Sequence, residues 1–372
     1  MLKKLLIFLI LAPLAGACYL AYQRYLQNPP GTLPTPYVLA PLEAAIEVDA
    51  PILIVGDRMG ARFALFKENL SLELSQGLSK PLKVASLATA GFGLHRTLQQ
   101  LDSLAKWPKV ILYVGGSEEF AEDRFTRQQI PTLRENLRRY QDDEWRTLLM
   151  LLPEAGRLLY TPFQRLALPA TPAPPPADRG EDEWPVRQEL TYELFRIELQ
   201  RLFEEARRHD SLLIVVTSPA NLDVAPKRTC QIARDPASDA ELAAIREMIK
   251  KQDTKSAYQR AQKLAQEGLG HAEAFFVAGQ LALRLGKREE ARDFIHKAQA
   301  FDCVPWRANE VTNSILRAKA QEERVPLYDF AAQVERDWGE NTTFFDSLYP
   351  QDLYYQRGTQ ALALVLKRLL KI

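Results

Sequence analysis

Short unbroken apolar runs alternate with stretches of helical spacing over most of the chain. Residues 52–55 read Ile-Leu-Ile-Val and stop at Gly56-Asp57. Residues 82–89 form a second run and stop at Ala90-Gly91-Phe92-Gly93. Residues 109–116 are a third, apolar between their ends as a central parallel strand is, and residues 211–219 and 325–330 supply a fourth and fifth. Residues 61–78, 94–107, 189–209, 307–323 and 358–372 carry helical spacing, and residues 120–160 carry it less regularly. The order predicts an α/β protein with a doubly wound, mainly parallel five-stranded sheet. The alternation is broken once. Residues 235–302 hold only helical patterns, so a helical module is inserted between the fourth and fifth strands.

The insert repeats itself. Ala257 and Ala291 stand 34 residues apart, and the same step links Ala261 to Ile295 and Leu264 to Ala298. Phe275, Ala278, Gly279, Ala282, Gly286, Ala291 and Ala298 fall where paired antiparallel helices need small or apolar residues. In this the insert resembles the tetratricopeptide repeat. Fewer than three repeats do not bury a core alone, so the module is expected to pack on the sheet domain.

The N-terminus carries a different signal. Met1-Leu2-Lys3-Lys4 precedes residues 5–22, eighteen positions without a charge. That length just suffices to cross a bilayer as a helix, with the lysines retained on the cytoplasmic side. A retained signal anchor, a signal peptide cleaved at Ala15-Gly16-Ala17, and a lipoprotein modified at Cys18 all fit the run. Each exports the rest of the chain. The expectation is a single-pass protein of a bacterial inner membrane with its main domain in the periplasm. The domain reading is 1–26 anchor or signal, 27–50 proline-stiffened tether, 51–234 sheet domain, 235–302 insert and 303–372 the remainder of the sheet domain.

Composition narrows the chemistry. Lysine and arginine total 48 against 47 aspartates and glutamates, so the net charge of +1 gives no footprint for nucleic acid. The four histidines show no metal-ligand spacing with carboxylates, and no metal site is expected. No phosphate-binding loop is present, and Gly91-Phe92-Gly93 alone does not indicate a dinucleotide, so no cofactor is implied. His95, His209, His271 and His296 read as surface or packing residues.

In an open α/β sheet the crevice lies beyond the carboxyl ends of the strands. Those ends carry Gly56-Asp57-Arg58-Met59-Gly60, Gly91, Gly115-Gly116-Ser117-Glu118 and, late in the chain, Asp346-Ser347-Leu348-Tyr349. Their order resembles the SGNH, or GDSL-like, hydrolase family over residues 50–225 and 305–372, including exported members with a tetratricopeptide insert at the same point. The resemblance implies a flavodoxin-like fold and ester hydrolysis of envelope carbohydrates. The departures fall on the catalytic positions. Arg58 stands at the nucleophile, Ser117 at the oxyanion-hole asparagine, Glu118 at the aspartate after it, and Tyr349 at the general-base histidine. Only Gly91 and Asp346 match. Arginine stays protonated and is no nucleophile, and tyrosine is a poor base at neutral pH.

The expectation is therefore a hydrolase-like protein without its triad, acting as a binding or scaffold protein in the envelope. Its expected partners are an envelope protein on the insert and an envelope polysaccharide in the pocket of Asp57, Arg58, Gly91, Ser117, Glu118, Asp346 and Tyr349. The alternative is an active esterase using other residues. Arg58 and Asp346 are expected to pair across the crevice, since the guanidinium fork suits a carboxylate. Cys230 and Cys303 bracket the insert, and an oxidising compartment permits a bridge between them.

The proline-rich stretch 168–186, with Ala173-Pro174-Pro175-Pro176 at its centre, has little apolar surface to offset the entropy of ordering it. Limited proteolysis should cut near Arg179 first, and protection there with cutting elsewhere would contradict this reading.

Overall fold

The computed structural model describes residues 2–28, 33–42, 44–79, 81–152, 154, 156–173, 183–230, 235–267 and 270–371. The chain divides into two compact units, Met1–Pro41 with Asp123–Thr171, and Leu42–Glu122 with Pro172–Ile372.

The second unit holds the sheet. Its strands are β1 (Ile52–Gly56), β2 (Val84–Ser86), β3 (Val110–Val114), β4 (Leu212–Val216) and β5 (Leu327–Tyr328). All neighbours run parallel, in the order β2-β1-β3-β4-β5. Every residue of β1 and β3 is buried, which explains why both read as uninterrupted apolar runs. Alternate residues serve opposite faces. Ile52, Ile54 and Leu112 pack on one side against α1 (Arg58–Phe63), α2 (Lys67–Ser75), α10 (Phe330–Glu335) and α11 (Asp352–Leu370), with Phe63, Leu70, Phe330 and Leu362 at the contact. Leu53, Val55 and Ile111 pack on the other against α3 (Leu94–Asp102), α4 (Trp184–Arg208) and α9 (Glu310–Glu322), through Leu98, Phe195, Leu199 and Leu316. Helices cover both faces, as a doubly wound sheet requires.

Four helices fill the insert: α5 (Pro236–Lys250), α6 (Thr254–Glu267), α7 (Ala272–Arg284) and α8 (Arg288–Ala300). They share one core built on alanines, with Ala257, Ala261, Ala278, Ala282, Ala291 and Ala298 all buried. The close approach of α7 and α8 needs Gly279. A Cβ there would stand 2.7 Å from Ile295 Cδ1 and 3.0 Å from the Ala291 carbonyl oxygen.

The insert's two ends meet. Cys230 and Cys303 are disulfide-bonded, with Cα atoms 5.1 Å apart, and they cluster with Trp184. Thr229 and Asp302 form an antiparallel bridge beside them. The buried Asp302 carboxylate accepts from the backbone N–H groups of Lys227 (2.8 Å), Arg228 (3.1 Å) and Val304 (3.1 Å). Arg307 donates to the carbonyls of Asn221 (3.0 Å) and Val224 (2.7 Å) on the incoming strand of the stem.

The first unit corrects two expectations. Residues 27–50 are not all tether, because Tyr37–Leu39 is a strand paired in parallel with Leu166–Leu168. Segment 123–171, with helices Ile130–Gln141, Asp143–Leu151 and Gly156–Leu159, joins the N-terminal residues rather than the sheet unit. Asn28 fastens them, its Nδ2 donating to the carbonyls of Arg157 (3.0 Å) and Tyr160 (2.7 Å). Residues Leu2–Gln27 form one helix with Pro13 inside it. Among the described residues no helix is long and apolar enough to cross a membrane. Residues 174–182, the centre of the proline-rich stretch, lie outside the described residues.

The disulfide closes a loop of 73 residues. Chain entropy then gives about 4 kcal/mol of stabilisation. Cys303→Ser should lower the unfolding free energy by about that amount in chemical denaturation, and reduction of the wild type should reproduce the loss.

Candidate functional site

The site is built on the turn that ends β1. Gly56 sits at φ +128°, and a Cβ there would fall 2.0 Å from the Val114 carbonyl oxygen of β3. No other residue fits so close to the neighbouring strand. Gly60, one turn into α1, is nearly as confined, at 2.8 Å from the same oxygen and 2.9 Å from Ala88 Cβ. The two glycines seat the start of α1 directly on the end of β3.

Asp57 lies between them and is 1% exposed. Its Oδ1 caps α1 by accepting from Met59 N at 2.8 Å. Its Oδ2 accepts from Ser117 N at 2.6 Å and Ser117 Oγ at 2.7 Å. Burial, joined by the charge of Glu118, pushes the Asp57 carboxyl up to about 6, against the pull of the Ser117 and Met59 hydrogen bonds.

Glu118 faces Arg58. Oε1 accepts from Arg58 Nε at 2.5 Å, and Arg58 Nη2 also pairs with it. Oε2 accepts from the backbone N–H groups of Arg58 (3.0 Å) and Gly91 (2.5 Å). The Glu118 side chain is almost wholly buried, and that of Arg58 is about one-quarter exposed. This corrects the expected partner of Arg58, which is Glu118 and not Asp346. Asp346 is exposed, and its Oδ1 accepts from Leu348 N (2.7 Å) and Tyr349 N (2.6 Å) in its own loop. Tyr349 stacks on Phe345, and the Arg62 guanidinium stands over both rings. Five of the seven expected residues, Asp57, Arg58, Gly91, Ser117 and Glu118, thus come together. Asp346 and Tyr349 belong to a separate surface cluster.

A second ionic group lies on α3. Glu122 accepts from Arg96 Nε and Nη2, each at 2.6 Å, and from His95 Nε2. All three side chains are buried. Burial raises the Glu122 carboxyl, but the hydrogen bonds and charges of His95 and Arg96 outweigh it and hold it at about 2. Glu119 Oε1 accepts from Leu94 N, 3.0 Å, at the start of α3. Sequence reasoning missed Arg96, Glu119 and Glu122. The acidic run after Gly115-Gly116 was the available signal, and a charge run ordinarily reads as a solvated face.

Neither hydroxyl at the strand ends meets a histidine. Ser117 Oγ donates to Asp57, and Ser218 Oγ donates to the Gly115 carbonyl at 2.8 Å. The fold does assemble two sets of potential metal ligands that no sequence spacing shows, His95 with Glu119 and Glu198, and His296 with Glu310 and Glu335. In each, the donor atoms lie within 4.8 Å of one another. No protein-family model and no curated protein matches the sequence.

The two shifted carboxyls have opposite pH signatures. Asp57 is raised above its ordinary 3.8, so its contribution to stability is fully present below about pH 4 and is lost as pH rises through about 6. Glu122 is lowered from 4.5, so its contribution is present above about pH 4.5 and is lost as pH falls towards 2. Asp57→Asn should flatten the decline in stability between about pH 4 and pH 7, read as denaturation midpoints against wild type.

Proposed function

We propose that this is an exported SGNH-hydrolase-like protein, anchored in a bacterial inner membrane, that has lost hydrolysis and works as a binding or scaffold protein of the envelope. The observation that carries this reading is the Arg58–Glu118 pair. The guanidinium stands where the family places its nucleophile, held by a buried carboxylate that also takes the Gly91 N–H. A hydrolase needs a hydroxyl or thiol there, activated by a base. A guanidinium neutralised by Glu118 but about one-quarter exposed instead keeps N–H donors that suit a hydroxyl-rich ligand such as an envelope polysaccharide. The strand order β2-β1-β3-β4-β5 agrees with the flavodoxin-like arrangement the resemblance implies. The alanine-rich packing of α6, α7 and α8 supports a tetratricopeptide-like module, and its outer face is where an envelope protein partner would dock. The uncharged run at residues 5–22 supports the anchor, with cleavage or lipidation at Cys18 as the other routes to the same compartment.

One observation favours an active enzyme. Ser117 Oγ lies 2.7 Å from Asp57, a carboxyl raised to about 6 and so closer to a useful base than an ordinary aspartate. Both groups are buried, and their hydrogen bonds are spent on the turn. The full chain assayed with p-nitrophenyl acetate and with acetylated glycans should show no turnover above buffer, and Ser117→Ala should change nothing. Turnover that disappears in Ser117→Ala would establish the esterase reading instead.

A further inference from the structure

Helices α8, α9 and α10 bring three side chains to one point at the seam between the insert and the sheet. His296 comes from the last helix of the insert, Glu310 from the first turn of α9, and Glu335 from the end of α10. Their donor atoms lie within 4.8 Å of one another. His296 Nε2 is 3.3 Å from Glu335 Oε2. Two donors each about 2.0–2.1 Å from a tetrahedral ion are separated by about 3.3 Å. The contact has the length of a coordination edge.

Burial sharpens the point. Glu335 is 8% exposed, and its Oε1 has no hydrogen-bond partner among the described residues. Leaving a carboxylate oxygen unpaired away from water is costly, and a cation relieves that cost.

The ligands are also positioned from behind. Arg317 Nη1 donates to Glu310 Oε1 at 2.6 Å, and Ser314 Oγ donates to the same atom at 3.1 Å. These bonds turn the other oxygen of Glu310 to further use. The same guanidinium grips Asp329 through Nε (2.7 Å) and Nη2 (3.1 Å), and Asp329 caps α10. One arginine thus orients Glu310 directly, as outer-shell groups do at metal centres, and ties α9 to the start of α10.

We propose that His296, Glu310 and Glu335 bind one divalent transition-metal ion of the Zn2+ type, joining the insert to the sheet. One imidazole and two carboxylates give the mixed nitrogen and oxygen set that such ions accept. His296 and Glu310 also line a cavity of about 670 Å³ with Arg196, Lys297, Val311 and Lys319. Three protein ligands leave a coordination position for water or for a donor atom of a molecule in that cavity. Lys319 is paired with Glu322 at 2.8 Å, and Arg196 with Glu193, so the charge of these two neighbouring cations is already offset.

The test is equilibrium dialysis of the full chain, stripped with chelator, against buffered Zn2+, with elemental analysis of the protein. Wild type should hold one Zn2+ per chain. His296→Ala and Glu335→Gln should lose it, and Glu310→Gln, at a partly exposed position, should weaken it at least about tenfold. His95→Ala should keep it, and near-ultraviolet circular dichroism should show each variant folded. If a buried substitution unfolds the chain, Glu310→Gln carries the test alone. A wild type that binds no Zn2+, an ion retained at full affinity in folded Glu310→Gln, or an ion lost in His95→Ala and retained in His296→Ala would overturn the proposal.

Discussion

A single buried carboxylate governs the carboxyl edge of the sheet. Asp57 has four hydrogen-bond positions to fill and almost no access to water. It fills three of them with the Met59 N–H in the first turn of α1 and with both the N–H and the hydroxyl of Ser117. That one side chain therefore starts a helix after β1 and fixes the loop after β3. The close packing of Gly56 and Gly60 on Val114 makes the contact possible, since any side chain there would push the two strand ends apart. Satisfied on these sides, Asp57 is tolerated in the core. Deprived of Ser117 or Met59, it would be an uncompensated charge.

From that constraint the state of the crevice follows. With the loop after β3 held by Ser117, Glu118 points back over the start of α1 and meets Arg58 along two edges. The Gly91 N–H, presented from the left-handed turn at φ +85°, completes its coordination. Such a pair adds little stability over an apolar filling, because desolvation offsets most of the attraction. It does hold one geometry. Behind it, Glu122 binds His95 and Arg96 on α3 and ties the loop after β3 to the helix after β2. The strand ends are thus joined by charge and hydrogen bonds more than by apolar contact.

The insert is fastened differently. Its stem is closed covalently by the disulfide between Cys230 and Cys303 and closed again by Asp302 and Arg307, each binding backbone groups on the opposite strand of the stem. Its interior mixes large residues such as Leu242, Phe275 and Ile295 with alanines and Gly279, the small ones letting α7 and α8 approach closely. A module of four helices would wobble on a flexible stem. The double closure, and the contact of α8 with α9 beside it, make it continuous with the sheet unit.

The chain's own pattern was enough to determine the sheet. Ile52–Val55, residues 109–116 and residues 211–219 read as buried strands, because they are short, rich in β-branched residues and bounded by Pro, Gly or Asp. It also showed the helical interruption at 235–302 and the carboxyl-edge location of Asp57, Arg58, Gly91, Ser117 and Glu118. It could not choose the partner of Arg58. Glu118 and Asp346 are both carboxylates in loops, and only the tertiary path shows that Asp346 turns onto its own backbone while Glu118 reaches the guanidinium. Nor could it join residues 123–171 to the N-terminal segment. The two paired strands there are three residues each, too short to carry a period, and pairing over so great a separation has no local signature. The seam of His296, Glu310 and Glu335 was invisible for the same reason. Its members lie on three helices, and nothing in their spacing records that the helix ends converge.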